Sequence, residues 1–139
     1  ITNRWSETPP SCLEKRKLIE KLGESVRGMH RAGVNHQDCY ICHFLLQEGT
    51  GDLFVIDLHR AGVHESLPWR WKSKDLSALA FSVSHLKLTT LDYFRFLRCY
   101  YGSLSQNREE IHRLVEVVKR KIKRIQSHTL SLRKKRGFL

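Results

Sequence analysis

The chain has 139 residues and a formal net charge of +11, with 25 Lys and Arg side chains against 14 Asp and Glu side chains. This length supports one domain with a moderate hydrophobic core rather than two. The sequence shows no apolar run of membrane-spanning length and no secretory signal, which disfavours an integral membrane protein and an exported one. Its four cysteines are therefore expected to be reduced thiols.

The positive charge is concentrated at the carboxyl end of the chain. Residues 118–139 contain nine Lys and Arg side chains and no acidic one, so residues 1–117 keep 16 basic against 14 acidic side chains, or +2. Such a segment indicates an anionic partner, for which a membrane surface, a nucleic acid, a phosphorylated glycan and an acidic protein are the candidates. A solvated helix end that only aids solubility is the simpler alternative.

The first predicted element is a long helix. Ser11 and Glu14 have the spacing of a capping box, so the helix is expected to begin near Cys12, and Gly33 is placed to end it.

A hairpin and three more helices are predicted after it. Residues 44–46 and 53–58 are short β-like runs on either side of a Gly-containing turn, which predicts the hairpin. Residues 60–73 are predicted to be irregular and basic. Helical periodicity resumes at Lys74, and Thr89 or Thr90 caps the next helix. The last helix carries an apolar stripe opposite its basic face.

The segment VNHQDCYICHFLL, residues 34–46, is compatible with several kinds of chemistry. Cys39, Cys42 and His43 form C-x-x-C-H, the spacing of a haem attachment site, which also contains the C-x-x-C of redox and zinc sites. Met29 is the only Met that could complete a haem site, and it lies on the apolar stripe of the first helix. A structural zinc would need a second ligand pair. We therefore interpret the two cysteines as small apolar groups that pack beside a loop.

The same segment has the residue order that kinase-like folds use for phosphoryl transfer. In those folds a base Asp follows a long helix, a metal ligand lies five residues later, and a second metal-binding Asp ends a hairpin strand. Here Asp38 follows the first helix, His43 lies five positions later, and Asp57 ends the run LFVID. The hairpin between them is expected to bring both carboxylates to one edge.

Four segments carry a closer resemblance: GMHRAGVNHQDCYICHFLL, VIDLHRAG, RWKSKDLSALAFS and LTTLDYFRFLRCYYG. Over residues 19–102 the sequence resembles the lipopolysaccharide core heptose(I) kinase family. The resemblance implies a protein-kinase-like C-terminal lobe, mainly α with a short β-hairpin. It also implies an enzyme that uses ATP and Mg²⁺ to phosphorylate the first heptose of lipid A–core, in the cytoplasm and peripheral to the inner membrane.

The resemblance assigns roles to individual positions. Asp38 is expected to be the general base or the carboxylate that orients the acceptor hydroxyl, and Asp57 to bind Mg²⁺ with help from His43. His36 and Asp75 are expected to hold the catalytic loop, with Asp75 at the start of a helix; simple charge compensation at that helix start is the alternative for Asp75. The basic loop offers three candidate acceptor-binding side chains, Arg60, Arg70 and Lys72.

The sequence also departs from a complete kinase. Gln37 replaces the Arg that usually lies between the His and Asp of the catalytic loop, and we find neither a Gly-rich loop nor a strand Lys paired with a helix Glu. We therefore expect residues 1–139 to be the C-terminal lobe alone, inactive without an ATP-covering N-terminal lobe. Its parts are a polar segment at 1–11, a catalytic core at 12–102 and a basic helical tail at 103–139.

Two other interpretations stay open. Within the enzyme class, a Kdo kinase or an antibiotic-type phosphotransferase would use the same loop with a different acceptor. Outside it, a non-catalytic basic module would bind an anionic membrane or nucleic acid through residues 118–139. The body contains no named nucleic-acid motif, so the inner-membrane surface or an acidic protein is the favoured partner of the tail.

Overall fold

Four helices and four short strands make up the part of the chain that is described, residue 5 and residues 7–135 of a computed structural model. The helices are α1 (Cys12–Arg31), α2 (Trp69–Ser82), α3 (Thr90–Tyr101) and α4 (Arg108–Lys135). The strands all lie between α1 and α2: β1 (Val34–Asn35), β2 (Phe44–Leu46), β3 (Leu53–Val55) and β4 (Gly62–Val63). The mainly α architecture with a short hairpin is confirmed.

Helix α1 begins where the capping box predicted. The Ser11 Oγ accepts a hydrogen bond from the Glu14 backbone N–H at 3.3 Å, and the Glu14 carboxylate accepts one from the Ser11 backbone N–H at 2.9 Å. The Ser11 hydroxyl also donates to this carboxylate, at 2.7 Å. This bond and the one from the Ser11 backbone N–H stabilise the charged form and lower the pKa of Glu14. The buried side of α1 includes Leu22 and Val26, and the helix packs on α3.

Strands β2 and β3 form the predicted hairpin. Phe44 pairs with Val55, Leu45 with Phe54 and Leu46 with Leu53, as the antiparallel register requires. Because side chains alternate along a strand, the two faces differ. Phe44 is completely buried, whereas Leu45 is 46% and Phe54 51% exposed. One face of the hairpin therefore closes the core and the other faces outward.

A second, smaller pairing was not predicted. Strands β1 and β4 pair antiparallel, and the His64 N–H donates to the Gly33 carbonyl at 2.9 Å. Both glycines are in close contacts: a Cβ on Gly33 would lie 1.9 Å from the His64 backbone oxygen, and one on Gly62 would lie 2.7 Å from the Asn35 side-chain Oδ1. We call residues 36–61, whose two ends this pairing pins together, the active-site excursion.

Helix α2 begins earlier than the sequence indicated. Residues 69–73, predicted to be irregular, form its first turn, and Pro68 is the N-cap with φ −63°. Proline suits this position because its missing N–H is not needed at a helix start. Asp75 consequently lies in the second turn of α2, and its predicted place at the helix start is wrong. Compensation of charge at the helix start therefore does not explain Asp75.

Helix α4 contains most of the basic segment and packs on α2. Leu114 is buried in that contact, whereas Leu130 and Leu132 near the end of the helix are exposed. Residues 136–139 lie outside the described residues, so the structure does not test the predicted tail there. No helix in the described part of the chain is long and apolar enough to cross a membrane.

Candidate active site

Asp75 holds the backbone of the catalytic loop from beneath. Its fully buried carboxylate accepts hydrogen bonds from the backbone N–H groups of His36, at 2.7 Å, and Gln37, at 2.9 Å. The His30 Nε2 lies 3.2 Å from the same carboxylate, and the His30 Nδ1 lies 2.7 Å from the Tyr100 hydroxyl. Side chains of α1, α2 and α3 thus meet under the loop. They hold the backbone immediately before Asp38.

His36 connects the catalytic loop to the segment after β3. Its ring is completely buried, and its Nε2 donates a hydrogen bond to the Ile56 carbonyl at 2.9 Å. The ring also stacks on His43, with centroids 5.3 Å apart and planes 2° from parallel. His36 therefore links the loop that contains Asp38 to the segment that contains Asp57.

His43 contacts both acidic residues of the predicted pair. Its Nδ1 lies 2.7 Å from the Asp38 carbonyl oxygen, which can only accept, so this nitrogen carries the proton. Its other ring nitrogen, Nε2, lies 3.4 Å from the Asp57 Oδ2. The hairpin thus brings Asp38 and Asp57 to the two sides of one imidazole ring.

The Asp38 carboxylate has a partner that the sequence did not reveal. The Arg60 Nη1 donates to both of its oxygens, at 3.0 and 3.1 Å. The Asp38 side chain is 20% exposed and that of Arg60 54%, so the pair lies at the surface of the site. Their separation of 22 residues gives no local signal, because the contact exists only once the active-site excursion is folded.

Asp57 lies two residues beyond β3 in a strained conformation. Its φ of +61° is in the left-handed region, and among the described non-glycine residues only Gln37, at +70°, shares this feature. The Asp57 side chain is 43% exposed, and its Oδ1 is hydrogen-bonded to the His59 Nδ1. Backbone strain of this kind costs about 1–3 kcal/mol and is concentrated at functional sites.

The two remaining basic candidates have partners on helices. The Arg70 guanidinium lies 4.9 Å from the centre of the Trp71 ring. The Lys72 Nζ donates to the Glu110 carboxylate of α4 at 3.0 Å, and the Tyr101 hydroxyl donates to the same oxygen at 3.1 Å. The structure therefore brings Arg60, but neither of these two, into direct contact with an acidic residue of the pair.

The cysteines of the C-x-x-C-H motif point in different directions. Cys39 is completely buried in the core, where loss of solvent raises the pKa of its thiol. Cys42 is exposed, and all four cysteines are free thiols. Among the described residues no three His, Cys, Asp or Glu side chains are placed to hold a metal ion on their own. The packing role predicted for the two cysteines agrees with the burial of Cys39 and is wrong for Cys42, which is exposed to solvent.

Comparison with known proteins identifies the family. Residues 1–100 match the model of the lipopolysaccharide kinase (Kdo/WaaP) family. The chain belongs to this family. The lipopolysaccharide core heptose(I) kinase WaaP of Pseudomonas aeruginosa PAO1 is 52% identical over 103 residues, 70% of this chain and 38% of the relative. The enzyme of the same name from Escherichia coli K12 is 45% identical over 116 residues, 74% of this chain and 44% of the relative.

A solved member of the Kdo/WaaP family has the same fold. The structure of WaaP in complex with acyl carrier protein matches with a TM-score of 0.78 and 44% sequence identity, covering 88% of this chain and 54% of that one. The family and the kinase-like fold predicted from the sequence are therefore confirmed. The chain spans less than half the length of the two curated relatives.

Proposed function

We propose that this chain is the catalytic lobe of an ATP-dependent sugar kinase that phosphorylates heptose I of lipid A–core. The observation that carries the proposal is the position of His43, whose Nδ1 contacts the backbone carbonyl of Asp38 and whose Nε2 lies beside the Asp57 carboxylate. The names of the two curated relatives support heptose I as the acceptor.

Asp38 is suited to accept or orient the proton of the acceptor hydroxyl. Its backbone follows the two N–H groups that Asp75 holds, so its carboxylate starts from a fixed position. Each carboxylate oxygen can accept more than one hydrogen bond, so the contact with Arg60 leaves capacity for an acceptor hydroxyl. General-base assistance by such a residue typically contributes about 10²–10⁴-fold to the rate.

The residues around Asp57 fit a divalent cation such as Mg²⁺. In kinases Mg²⁺ is held by one or two protein carboxylates and by phosphate oxygens, and it rarely has an all-protein cage. The half-exposed Asp57 carboxylate meets that requirement, and the His43 Nε2 lies beside it. A bound Mg²⁺ would supply neutralisation of the phosphate charges.

The outward face of the hairpin is suited to a nucleobase. Leu45, Phe54 and Ile56 are 46%, 51% and 39% exposed and share one face, which His43 continues toward Asp57. We propose that ATP lies along this face with its phosphates at Asp57, and that a second, ATP-covering lobe closes over it. In this arrangement residues 12–102 act as the catalytic core.

Acceptor binding is proposed to centre on Arg60. Its Nη1 is engaged by Asp38, while the exposed remainder of the guanidinium can donate to an anionic group on lipid A–core. Arg70, in the first turn of α2, is the second candidate. Lys72 is a weaker one because Glu110 already neutralises it.

The basic tail is proposed to bind an anionic surface or an acidic protein. Leu130 and Leu132 are exposed among its cations, a combination that suits the cytoplasmic face of the inner membrane, where each cation contributes about 1 kcal/mol. The solved relative was found with acyl carrier protein, which makes a protein partner the direct alternative. Replacing Arg133 and Lys134 by Gln should weaken sedimentation with anionic vesicles, more so at low salt. Salt-independent association would contradict membrane docking.

A chimera tests the kinase proposal. This chain replaces the matching region of the E. coli K12 relative, and phosphate transfer from ATP to purified lipid A–core is measured. Asp38→Asn should lower the rate by roughly 10³-fold, because the carboxylate that receives the hydroxyl proton is lost. Asp52→Asn makes the same change in the exposed hairpin turn and should leave the rate unchanged. Equal rates in the Asp38 variant and the parent would contradict the proposal.

The choice of acceptor is tested separately in the same chimera. Lipid A–core that contains Kdo but lacks heptose should not be phosphorylated if heptose I is the acceptor. Phosphorylation of this truncated glycolipid at the full rate would favour the Kdo-kinase alternative.

A further inference from the structure

We propose that His43 shifts the metal preference of the Asp57 site away from Mg²⁺ and toward first-row transition ions such as Mn²⁺. The inference rests on the proposed function, because it concerns the cation that would accompany ATP. The atom that selects among ions is the Nε2 of His43.

One of the two ring nitrogens of His43 is available as a metal ligand. The His43 Nδ1 donates its proton to the Asp38 carbonyl oxygen at 2.7 Å, so the tautomer that can bind a metal has its lone pair at Nε2. That lone pair lies 3.4 Å from the Asp57 Oδ2, which is also an electron-pair donor. Two such donors facing each other are stabilised by a shared cation. The peptide carbonyl that fixes the tautomer is the kind of outer partner that orients metal-binding histidines.

The His43 ring is held firmly in place. His43 stacks on His36, which is completely buried and hydrogen-bonded to the Ile56 carbonyl. The His43 backbone also pairs with that of Ile56, through the N–H of Ile56 and the His43 carbonyl at 2.9 Å. Ring and carboxylate are therefore fixed relative to each other by the hairpin itself, and the His43 side chain is only 18% exposed.

Mg²⁺ and transition ions prefer different ligand atoms. Mg²⁺ prefers carboxylate, carbonyl and water oxygens, whereas imidazole nitrogen favours transition metals, whose affinities rise along the series from Mn²⁺. Protein kinases place an Asn oxygen at the position five residues after the base Asp. A site in which that oxygen is replaced by an imidazole nitrogen loses little for Mn²⁺ and more for Mg²⁺. The exposed Asp57 carboxylate leaves room for phosphate oxygens to complete either ion's shell.

The experiment detects the nitrogen directly. The chimera that carries this chain is prepared with ¹⁵N-labelled and unlabelled histidine, loaded with Mn²⁺ and ADP, and examined by pulsed EPR, which reports nitrogen bound to the ion. A histidine nitrogen coupling that changes with the label is expected. In His43→Asn this coupling should disappear. The preference for Mn²⁺ over Mg²⁺, from competition titrations, should fall on the order of 10-fold.

His59 provides the matched control. Its Nδ1 contacts the other oxygen of Asp57, so His59→Asn makes the same change at the competing imidazole. The coupling should survive in this variant. Loss of the coupling in His59→Asn with retention in His43→Asn would overturn the inference. So would bound Mn²⁺ without histidine coupling, or no Mn²⁺ binding in the presence of ADP.

The same measurement separates this inference from the kinase proposal. Phosphate transfer by the chimera with no histidine coupling to Mn²⁺ would overturn only the role of His43. Histidine coupling in a chimera that transfers no phosphate to any lipid A–core acceptor would overturn the proposed function and leave His43 as a metal ligand.

Discussion

The active-site excursion holds Asp38 and Asp57 on supports of opposite kinds. The segment from His36 to His43 is anchored by buried groups, namely the Asp75 carboxylate, the His36 ring and the Cys39 side chain. The segment around Asp57 is exposed, and the partners of Asp57 are the rings of His43 and His59. The contrast shows that buried groups of the core determine the position of Asp38, whereas the partly exposed rings of His43 and His59 hold Asp57. We expect changes on the anchored side to affect folding and changes at Asp57 to affect ligand binding alone.

The largest expected effect is that of removing the buried anchor. Asp75→Ala leaves three buried donors without their acceptor, two backbone N–H groups and the His30 ring nitrogen. The free energy of unfolding should fall by about 3 kcal/mol or more. Denaturant unfolding followed by circular dichroism measures it. Asp57→Asn is the matched control on the exposed side and should change stability by less than about 0.5 kcal/mol. Equal losses in the two variants would contradict the comparison.

A smaller effect is expected from the cysteine pair. Cys39→Ser buries a hydroxyl in an apolar environment and should cost about 1–3 kcal/mol of unfolding free energy, whereas Cys42→Ser, at an exposed site, should cost almost nothing.

The two thiols should also differ in reactivity. Because burial raises the pKa of the Cys39 thiol, iodoacetamide at about pH 8 should modify Cys42 and leave Cys39 unreacted until the protein unfolds. Mass spectrometry of the peptides measures the modification of each cysteine. Modification of Cys39 and Cys42 at similar rates in the native protein would show that Cys39 is accessible.

The ion pair between Arg60 and Asp38 should contribute still less to folding. It joins an exposed guanidinium to a partly exposed carboxylate, so solvent screens it. A double-mutant cycle with Arg60→Gln and Asp38→Asn should give a coupling energy of at most about 1 kcal/mol. A coupling of several kcal/mol would place Asp38 and Arg60 among the structural anchors.

The smallest expected effect concerns backbone strain. Gln37 has a φ of +70°, which glycine adopts without cost, and its contact with Asp75 uses only the backbone N–H. Gln37→Gly should therefore raise the unfolding free energy by about 0.5 kcal/mol, because relief of strain slightly exceeds the added freedom of the unfolded chain. Gln37→Ala keeps the Cβ and should give no gain. A loss of stability in the glycine variant would mean that the Gln37 side chain is needed.

Local signals in the sequence predicted much of this arrangement. The capping box at Ser11 placed the start of α1, and the turn chemistry after Leu46 placed the hairpin. The spacing of Asp38, His43 and Asp57 predicted that the two carboxylates would lie at one edge, and the structure places the Asp38 backbone carbonyl and the Asp57 carboxylate at the two nitrogens of His43.

Long-range contacts were not predictable in the same way. The pairing of β1 with β4 involves two residues on each strand, too few to show a period. The contacts of Asp38 with Arg60 and of His30 with Tyr100 join residues far apart in sequence. The start of α2 was missed because Pro68 was interpreted as part of an irregular loop rather than as an N-cap.

The pinning of the excursion by β1 and β4 has a consequence for how such enzymes diversify. Every side chain proposed to touch phosphate, metal or the reacting hydroxyl is encoded in one short stretch that leaves the body and returns to the same place. The helices beneath supply attachment points, chiefly Asp75, and the secondary acceptor-binding candidates Arg70 and Lys72. Such a stretch can be remodelled for a new sugar at its exposed positions, such as Arg60, while its buried positions, such as Cys39 and Phe44, stay part of the core that folds the protein.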